Sequence, residues 1–245
     1  MRDFSLNMKV FLFLKSHLFR NAELCLMKVV ITAATAMEIE PFRVLQDNFD
    51  GIALSYLVTG VGAISTTFSL ERYISSFSPD LLIQIGIAGA YSDELKIGSA
   101  VAVSEEYMSD LGVFEKDAYK DIFDMELVGR NNFPFLNAAL KNPNELMLSK
   151  SGLPRVAGIG VNEISTSPLK IALFKEHYGA DIESMEGNAF HYVCLMNKIP
   201  FTQLRGISNK VGERDKSLWE IQKSLIAVLD ATNNLLKALE KENKQ

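Results

Sequence analysis

The sequence predicts an α/β protein, a three-layer α/β/α sandwich around a central twisted, mostly parallel or mixed sheet. Short β-rich runs alternate with segments of helical periodicity, which is the pattern of such proteins. The run Leu81 to Ile85 is nearly all apolar, as expected of a central strand buried on both faces. No internal repeat or low-complexity linker interrupts the alternation, so a single domain is expected over residues 27 to 240.

The elements follow in order. Strands are predicted at residues 28–34, 53–59, 81–85, 100–104, 155–161, 180–184 and 201–207. Helices are predicted after Gly62 and at residues 168–177, 186–197 and 216–239. In the helix after Gly62, an inward stripe is expected from Ile64, Phe68, Ile74 and Phe77. Trp219 is expected in the core beside the last helix.

The two ends of the chain differ from the rest. Residues 1–26 carry a short apolar stretch, Val10 to Leu14, which is too short to span a bilayer and is followed by Lys15. We expect these residues to be a non-essential extension, because the first predicted strand follows directly after Met27. Residues 241–245 are expected to be a frayed tail.

Composition narrows the classes of partner. The 25 Lys and Arg residues against 30 Asp and Glu give a net charge of −5, which favours a small ligand over nucleic acid, and no membrane partner is expected. The two cysteines, Cys25 and Cys194, form no CxxC motif, and no histidine lies at metal-ligand spacing. We therefore expect no disulfide framework and no metal, in a reducing, cytoplasmic compartment.

Polar residues follow several of the predicted strands, where ligands of open α/β sheets collect. The segments at these strand ends are Met37 to Glu40, Gly60 to Gly62, Gly86 to Ala90, Met185-Glu186 and Ser208-Asn209. A methionine can cover the apolar face of a ribose, while a neighbouring carboxylate accepts hydrogen bonds from two hydroxyls. Alternatives remain open: Met185 as core filler, Glu186 as a helix N-terminal carboxylate, and Asn209 as a loop cap.

These segments, in this order, resemble the purine nucleoside phosphorylase and nucleosidase superfamily, and within it the nucleosidase branch. The likeness covers roughly residues 27 to 239. Its anchors are Ala36 to Glu40, Gly60 to Gly62, Gly86 to Gly89, Ser184 to Glu186 and Arg205 to Asn209. Among nucleosidases, the stretches Asp110 to Val113 and Asn209 to Asp215 resemble the futalosine hydrolases of menaquinone biosynthesis.

The resemblance implies a role for each matching position. Glu40 would activate the attacking water and Arg205 would help to position it, although the sequence leaves Glu38 open as the base. Met185 and Glu186 would bind the ribose. The base would contact Gly86, Ala88, Gly89, Ile164, Ser208 and Asn209. The family implies a nucleoside substrate and water, no cofactor, and a homo-oligomer, in most relatives a dimer.

Two departures from the family pattern predict the substrate and the nucleophile. Adenine-cleaving relatives have an aspartate where this chain has Asn209, and an amide can accept from N7–H and donate to O6 of a leaving hypoxanthine. Bacterial phosphorylases carry a phosphate-binding arginine where this chain has Gln84, so water is the expected nucleophile. The resemblance thus implies hydrolysis of futalosine to hypoxanthine and dehypoxanthinyl futalosine.

Three other functions stay open at this point. The first is a nucleosidase for methylthioadenosine and S-adenosylhomocysteine. The second is a phosphorylase that acts on inosine. The third is a nucleoside-binding or storage protein without activity, against which the joint presence of Glu40, Arg205 and Glu186 argues.

Overall fold

The computed structural model describes residues 26–115 and 118–243. The predicted N-terminal extension lies outside the described residues, except for Leu26. The strands are β1 (Met27–Ala33), β2 (Ile52–Val58), β3 (Leu81–Ala90), β4 (Ala100–Met108), β5 (Gly112–Glu115), β6 (Ala118–Asp121), β7 (Leu140–Lys141), β8 (Arg155–Gly160), β9 (Ile182–Ser184) and β10 (Phe201–Lys210).

Helices connect these strands. They are α1 (Ala36–Ile39), α2 (Ala63–Phe77), α3 (Glu145–Lys150), α4 (Pro168–Tyr178), α5 (Gly187–Asn197) and α6 (Ile221–Asn243). Two 3₁₀ helices cover Glu40–Leu45 and Lys216–Leu218. In the described part of the chain, no helix combines the length and the apolar character needed to cross a membrane.

One mixed sheet of eight strands organises the molecule, in the order β10-β4-β8-β9-β3-β1-β2, with β7 beside β4. The pairs of β1 with β2, β1 with β3 and β10 with β3 are parallel, so these strands end at one edge. Strand β3 pairs with β10 as well as with β9, so that part of the sheet closes on itself. The predicted α/β class with a mixed sheet and surrounding helices is confirmed; the closure was not part of that prediction.

Apolar side chains fill both faces of the sheet. One core packs β1, β3 and β10 against α6 and the first 3₁₀ helix, with Phe42, Ile83, Leu204 and Leu236 fully or almost fully buried. A second core packs the opposite face against α2 and α5. This arrangement explains why β3 is apolar at nearly every position: its side chains alternate between two buried faces.

The predicted strands and helices are present, but the structure adds α1, α3 and β5 to β7 and extends β3 to Ala90 and β4 to Met108. Helix α2 buries Leu70 and Ile74, whereas Ile64, Phe68 and Phe77 are exposed, so the predicted inward stripe was right only for Ile74. The actual inward face also includes Thr66, a polar residue that an apolar pattern does not detect. In addition, the predicted helix from residue 216 is interrupted, because a 3₁₀ turn precedes α6 and leaves Trp219 between the two.

Candidate active site

A cavity of about 250 Å³ opens where the parallel strands end. Its wall comes from the segments after β1, β2, β8, β9 and β10 and from the last residues of β3, β9 and β10. The polar and glycine residues of the wall are Thr35, Glu38, Gly89, Glu183, Ser184, Glu186, Ser208, Asn209, Gly212, Glu213 and Arg214. The other wall residues are Ala34, Met37, Val61, Ile87, Ala88, Val161, Ile164, Met185, Val211 and Trp219.

Glu38, not Glu40, is the carboxylate after β1 that reaches the cavity. Glu38 is buried and belongs to a capping box, in which Thr35 donates to its Oε2 from N and from Oγ1, at 3.0 and 2.8 Å. Its Oε1 has only a long contact of 3.4 Å with the Ile87 N–H. One carboxylate oxygen is therefore fixed by the helix start, and the other is available to a ligand.

Glu40 lies outside the cavity, which corrects the assignment made from the sequence. It begins the 3₁₀ helix, its side chain is 73% exposed, and its Oε2 pairs with Arg43 Nε at 3.0 Å. Two residues along a helical turn point in different directions, so only one of the two carboxylates can face the sheet. The Thr35-x-x-Glu38 spacing is a capping signature, and it could have indicated Glu38 from the sequence.

Glu186 lies on the opposite side of the cavity, directly before α5. The Gly62 N–H donates to its Oε1 at 3.1 Å, and its Oε2 lies 3.8 Å from an Arg205 nitrogen. Gly62 has φ +85°, a conformation that glycine adopts without strain, and this brings its N–H to the carboxylate. Burial raises the pKa of Glu186, and Arg205 and the Gly62 N–H oppose that rise.

Arg205 and Gly86 lie beneath the cavity and do not line it. Arg205 is 1% exposed and donates to Gln84 Oε1 at 3.0 Å. Its guanidinium occupies the space that a side chain on Gly86 would need, and the Glu38 carboxylate lies on the same spot. Neither residue lines the cavity: Arg205 lies 3.8 Å from Glu186 Oε2, and Gly86 leaves room for the Arg205 guanidinium and the Glu38 carboxylate.

Asn209 lies on the cavity wall, in register with Gly89 of β3. Its Nδ2 donates to the Lys210 carbonyl at 2.7 Å, and its Oδ1 accepts from Ser208 Oγ at 2.6 Å. Because a carbonyl only accepts, the first contact fixes which amide atom is nitrogen. One amide N–H and one oxygen lone pair are left unused by the protein.

Several wall residues were not identified as site residues from the sequence, among them Glu183, Trp219 and Arg214. Glu183 lies in β9 and accepts from Tyr91 Oη at 2.8 Å and from Ser165 N at 3.0 Å. Trp219, expected in the core, lines the cavity, and the Arg214 guanidinium stacks on its ring at 5.5 Å. The turn before α6 brings Trp219 to the strand ends, and the apolar pattern of the sequence does not reveal it.

Negatively charged side chains predominate on the cavity wall. Four acidic residues, Glu38, Glu183, Glu186 and Glu213, line it, and the buried guanidinium of Arg205 lies behind Glu38 and Glu186. Arg214 is the one Lys or Arg residue on the described wall. Such a wall favours a positively charged group between the carboxylates, because partly buried charges interact more strongly than in water.

The structure thus brings seven of the ten predicted site residues to one cavity. They are Met185, Glu186, Ala88, Gly89, Ile164, Ser208 and Asn209. Arg205 and Gly86 contact these residues from beneath, and Glu40 alone is remote.

Comparisons with known proteins agree with this geometry. Residues 37–240 match the family described as Phosphorylase superfamily. Futalosine hydrolase of Thermus thermophilus is 32% identical, over 83% of this chain and 90% of that protein. The 5′-methylthioadenosine/S-adenosylhomocysteine nucleosidase of Lysinibacillus sphaericus is 24% identical, over 87% and 99%.

A solved structure shows the same fold. The 5′-methylthioadenosine/S-adenosylhomocysteine nucleosidase of Helicobacter pylori, bound to butyl-thio-DADMe-Immucillin-A, aligns with a TM-score of 0.74. The alignment covers 87% of this chain and 99% of that one at 15% identity.

Proposed function

Because the chain belongs to the Phosphorylase superfamily, and its named relatives include nucleosidases, we propose that it hydrolyses the N-glycosidic bond of a 6-oxopurine nucleoside, with futalosine as substrate. The products would be hypoxanthine and dehypoxanthinyl futalosine. The observation that carries the choice of base is the Asn209 amide, with one free donor and one free acceptor on the cavity wall.

The free positions of that amide match a leaving hypoxanthine. The oxygen can accept from N7–H while the nitrogen donates to O6, the edge that a 6-oxopurine presents. Adenine offers an amino donor in place of O6, so one of the two bonds would be lost. A base-edge contact of this kind discriminates by about 1 to 3 kcal/mol. Since an amide does not titrate, the proton for the base arrives through solvent.

Glu38 is the proposed general base, in place of Glu40. Its free Oε1 can accept a proton from a water directed at the anomeric carbon, within the reach that such catalysis needs. Glu186 would accept from the ribose hydroxyls, with Met185 against the sugar. As the glycosidic bond breaks, positive charge develops on the ribosyl group, and the carboxylates on both sides stabilise it.

Water is the proposed nucleophile because Gln84 is a neutral amide and brings no positive charge for a phosphate ion. Its side-chain oxygen accepts from Arg205, so it contributes no charge for a phosphate ion. Arg205 itself is buried beneath the wall and faces Glu186. A phosphate ion at the cavity floor would meet carboxylates instead of cations, which disfavours phosphorolysis.

Trp219 and Arg214 are proposed to receive the aryl ketone of futalosine. An aromatic ring can stack on the indole, and the stacked guanidinium keeps donors for a carbonyl oxygen. The Trp219 Nε1–H is buried and has no acceptor in the described part of the chain. An acceptor on the ligand would supply the missing hydrogen bond. A methylthio group would leave these polar groups unused.

The test compares substrates on the purified protein. Futalosine, methylthioadenosine and inosine are incubated with and without phosphate, and released base is quantified by chromatography. We expect hypoxanthine from futalosine to appear fastest, at a rate that phosphate does not change. Faster release of adenine would contradict the substrate proposal, a phosphate-dependent rate would indicate a phosphorylase, and binding without release would indicate a storage protein.

A further inference from the structure

A group of buried polar side chains lies between the sheet and the first turns of α5, behind the cavity. We call Glu106 of β4, Gln203 of β10 and His191 of α5 the buried polar layer. All three are 0% exposed, and none lines the cavity. Burial of three polar side chains is costly unless their hydrogen bonds are completed, so their donors and acceptors can be accounted for one by one.

His191 defines one end of the layer. Its Nδ1 lies 2.9 Å from the Leu140 carbonyl oxygen, and a carbonyl only accepts, so Nδ1 carries a hydrogen. In a neutral imidazole the other nitrogen, Nε2, is then an acceptor. The side chain of Gln203 interacts with His191, and His191 Nε2 has no hydrogen-bond partner among the described residues.

Gln203 lies between His191 and Glu106. Its Nε2 donates to Glu106 Oε1 at 2.8 Å, and among the described residues neither its Oε1 nor His191 Nε2 has a hydrogen-bond partner. A hydrogen bond between these two acceptors forms only when His191 is protonated. With the amide turned by 180°, Gln203 would donate to His191 and accept from Glu106, which must then be protonated. A layer in which Gln203 bridges the other two residues therefore holds one proton.

Burial decides where the proton resides. A protonated His191 beside an ionised Glu106 would place two charges in the interior, whereas a protonated Glu106 leaves the layer neutral. Burial, together with the charge of Arg205, lowers the pKa of His191 to about 4, against the hydrogen bonds with Leu140 and Gln203. Burial raises the pKa of Glu106 to about 7, against the hydrogen bond from Gln203 and the charge of Arg205.

The layer is coupled to the cavity wall through Arg205. The groups that face Glu106 are Arg205 of β10, Glu186 before α5 and, across Gln203, His191, with Gly158 of β8, Gly187 of α5 and Leu140 of β7. Gly187 has no side chain, and this lets the Glu106 carboxyl group approach the residue directly after Glu186. A charge on Glu106 would therefore act on both partners of the Arg205–Glu186 pair.

We propose that Glu106 is a positioning residue that carries the one proton of the buried polar layer, and that its neutral form leaves the charge of Arg205 to Glu186. Loss of that proton adds a second carboxylate that competes for Arg205 and repels Glu186. Arg205 is then shared between two carboxylates, so Glu186 is held less firmly in the position from which it accepts ribose hydroxyls. Turnover falls as Glu106 ionises, although Glu106 never touches the substrate.

The test uses Glu106→Gln, which resembles the neutral acid in shape and cannot ionise. We expect wild-type kcat/KM to decline as pH rises through about 7, the pKa of Glu106. In Glu106→Gln this decline should disappear or move up by at least about one pH unit, with activity at about pH 6 within roughly twofold of wild type. The matched control is Glu105→Gln, the adjacent residue on β4, which pairs with Lys141 and should keep the wild-type profile.

An unchanged alkaline decline in Glu106→Gln would overturn the proposal, as would a folded variant that is inactive at about pH 6. This part of the test rests on the proposed function. A second measurement, isotope-edited infrared spectra of the wild-type protein, is independent of the proposed function. A protonated carboxyl band should be present at about pH 6 and lost at about pH 9. Absence of that band at the lower pH would overturn the proposal even if Glu106→Gln does not fold.

Discussion

The cavity wall and the buried polar layer behind it hold their carboxyl groups in opposite ways. On the wall, Glu38 and Glu186 each receive backbone N–H donors, from Thr35 and Gly62, and the second oxygen of each has only a long contact, with Ile87 and Arg205 respectively. In the layer, Glu106 receives one amide contact, and its Oε2 has no partner among the described residues. Donors from the backbone favour the ionised form, and burial without them favours the neutral form.

This difference indicates which carboxyl groups can act directly on a ligand. A carboxylate with fixed N–H donors and an open oxygen can accept a proton or a hydroxyl hydrogen. A carboxyl group enclosed on all sides acts only through the charges next to it, here Arg205. The two regions meet at Gly187, so the comparison can be tested on each side separately.

The largest effect is expected from removing the proposed general base, Glu38. Glu38→Gln should lower kcat about 10²- to 10⁴-fold, the usual contribution of a positioned general base, with little change in ligand affinity. Steady-state kinetics and calorimetric binding would measure both. Glu40→Gln is the matched control, and it should retain wild-type turnover because Glu40 is exposed and paired with Arg43. Loss of turnover in Glu40→Gln instead of in Glu38→Gln would assign the general base to Glu40.

The next effect concerns the choice of purine. Asn209→Asp should shift the ratio of kcat/KM for futalosine over methylthioadenosine toward the adenine nucleoside by roughly 5- to 150-fold, or about 1 to 3 kcal/mol. A protonated carboxylic acid complements N7 of adenine, whereas the amide complements N7–H and O6. The exposed Asn48→Asp carries the same charge change away from the cavity, so it should leave the ratio alone. An unchanged ratio of kcat/KM values in Asn209→Asp would show that Asn209 does not recognise the purine.

The smallest effect tests the junction of the two regions. In Gly187→Ala the new Cβ would overlap the Glu106 carboxyl group, so we expect unfolding to become about 1 to 3 kcal/mol easier. Alanine is otherwise the better helix former by roughly 0.5 to 1 kcal/mol, so a loss of stability identifies the contact. Denaturant unfolding of Gly187→Ala in the Glu106→Ala background should recover part of the loss. A stabilised Gly187→Ala would show that the layer is not tightly packed against α5.

Much of the site could be predicted because its residues directly follow strands. Met185, Glu186, Ser208 and Asn209 each lie at or just after the end of a strand whose apolar run is visible in the sequence. Strands β1, β3 and β10 are parallel and share an edge, so Ser208 and Asn209 reach it without further information, whereas Met185 and Glu186 follow β9, which pairs antiparallel with β3. The homo-oligomer and the single domain over residues 27 to 240 stay predictions.

Other features depend on direction within a turn, which apolar spacing does not give. Apolar periodicity does not distinguish Glu38 from Glu40; only the capping spacing from Thr35 favours Glu38, and the helical turn after β1 separates the two side chains. The same is true of α2, where Thr66 faces inward while Ile64 and Phe68 face solvent. An apolar count assigns these faces wrongly, because the neighbouring element decides which face is covered.

The sequence by itself determined the α/β class, the order of the elements and the polar residues at the strand ends, because apolar periodicity and chain order are local properties. Tertiary structure alone decided which acid faces the cavity, how Arg205 lies beneath it, and that Glu106, Gln203 and His191 meet. Those contacts join residues far apart in the chain, and their protonation follows from burial, which exists only once the sheet has closed and α5 has packed onto it.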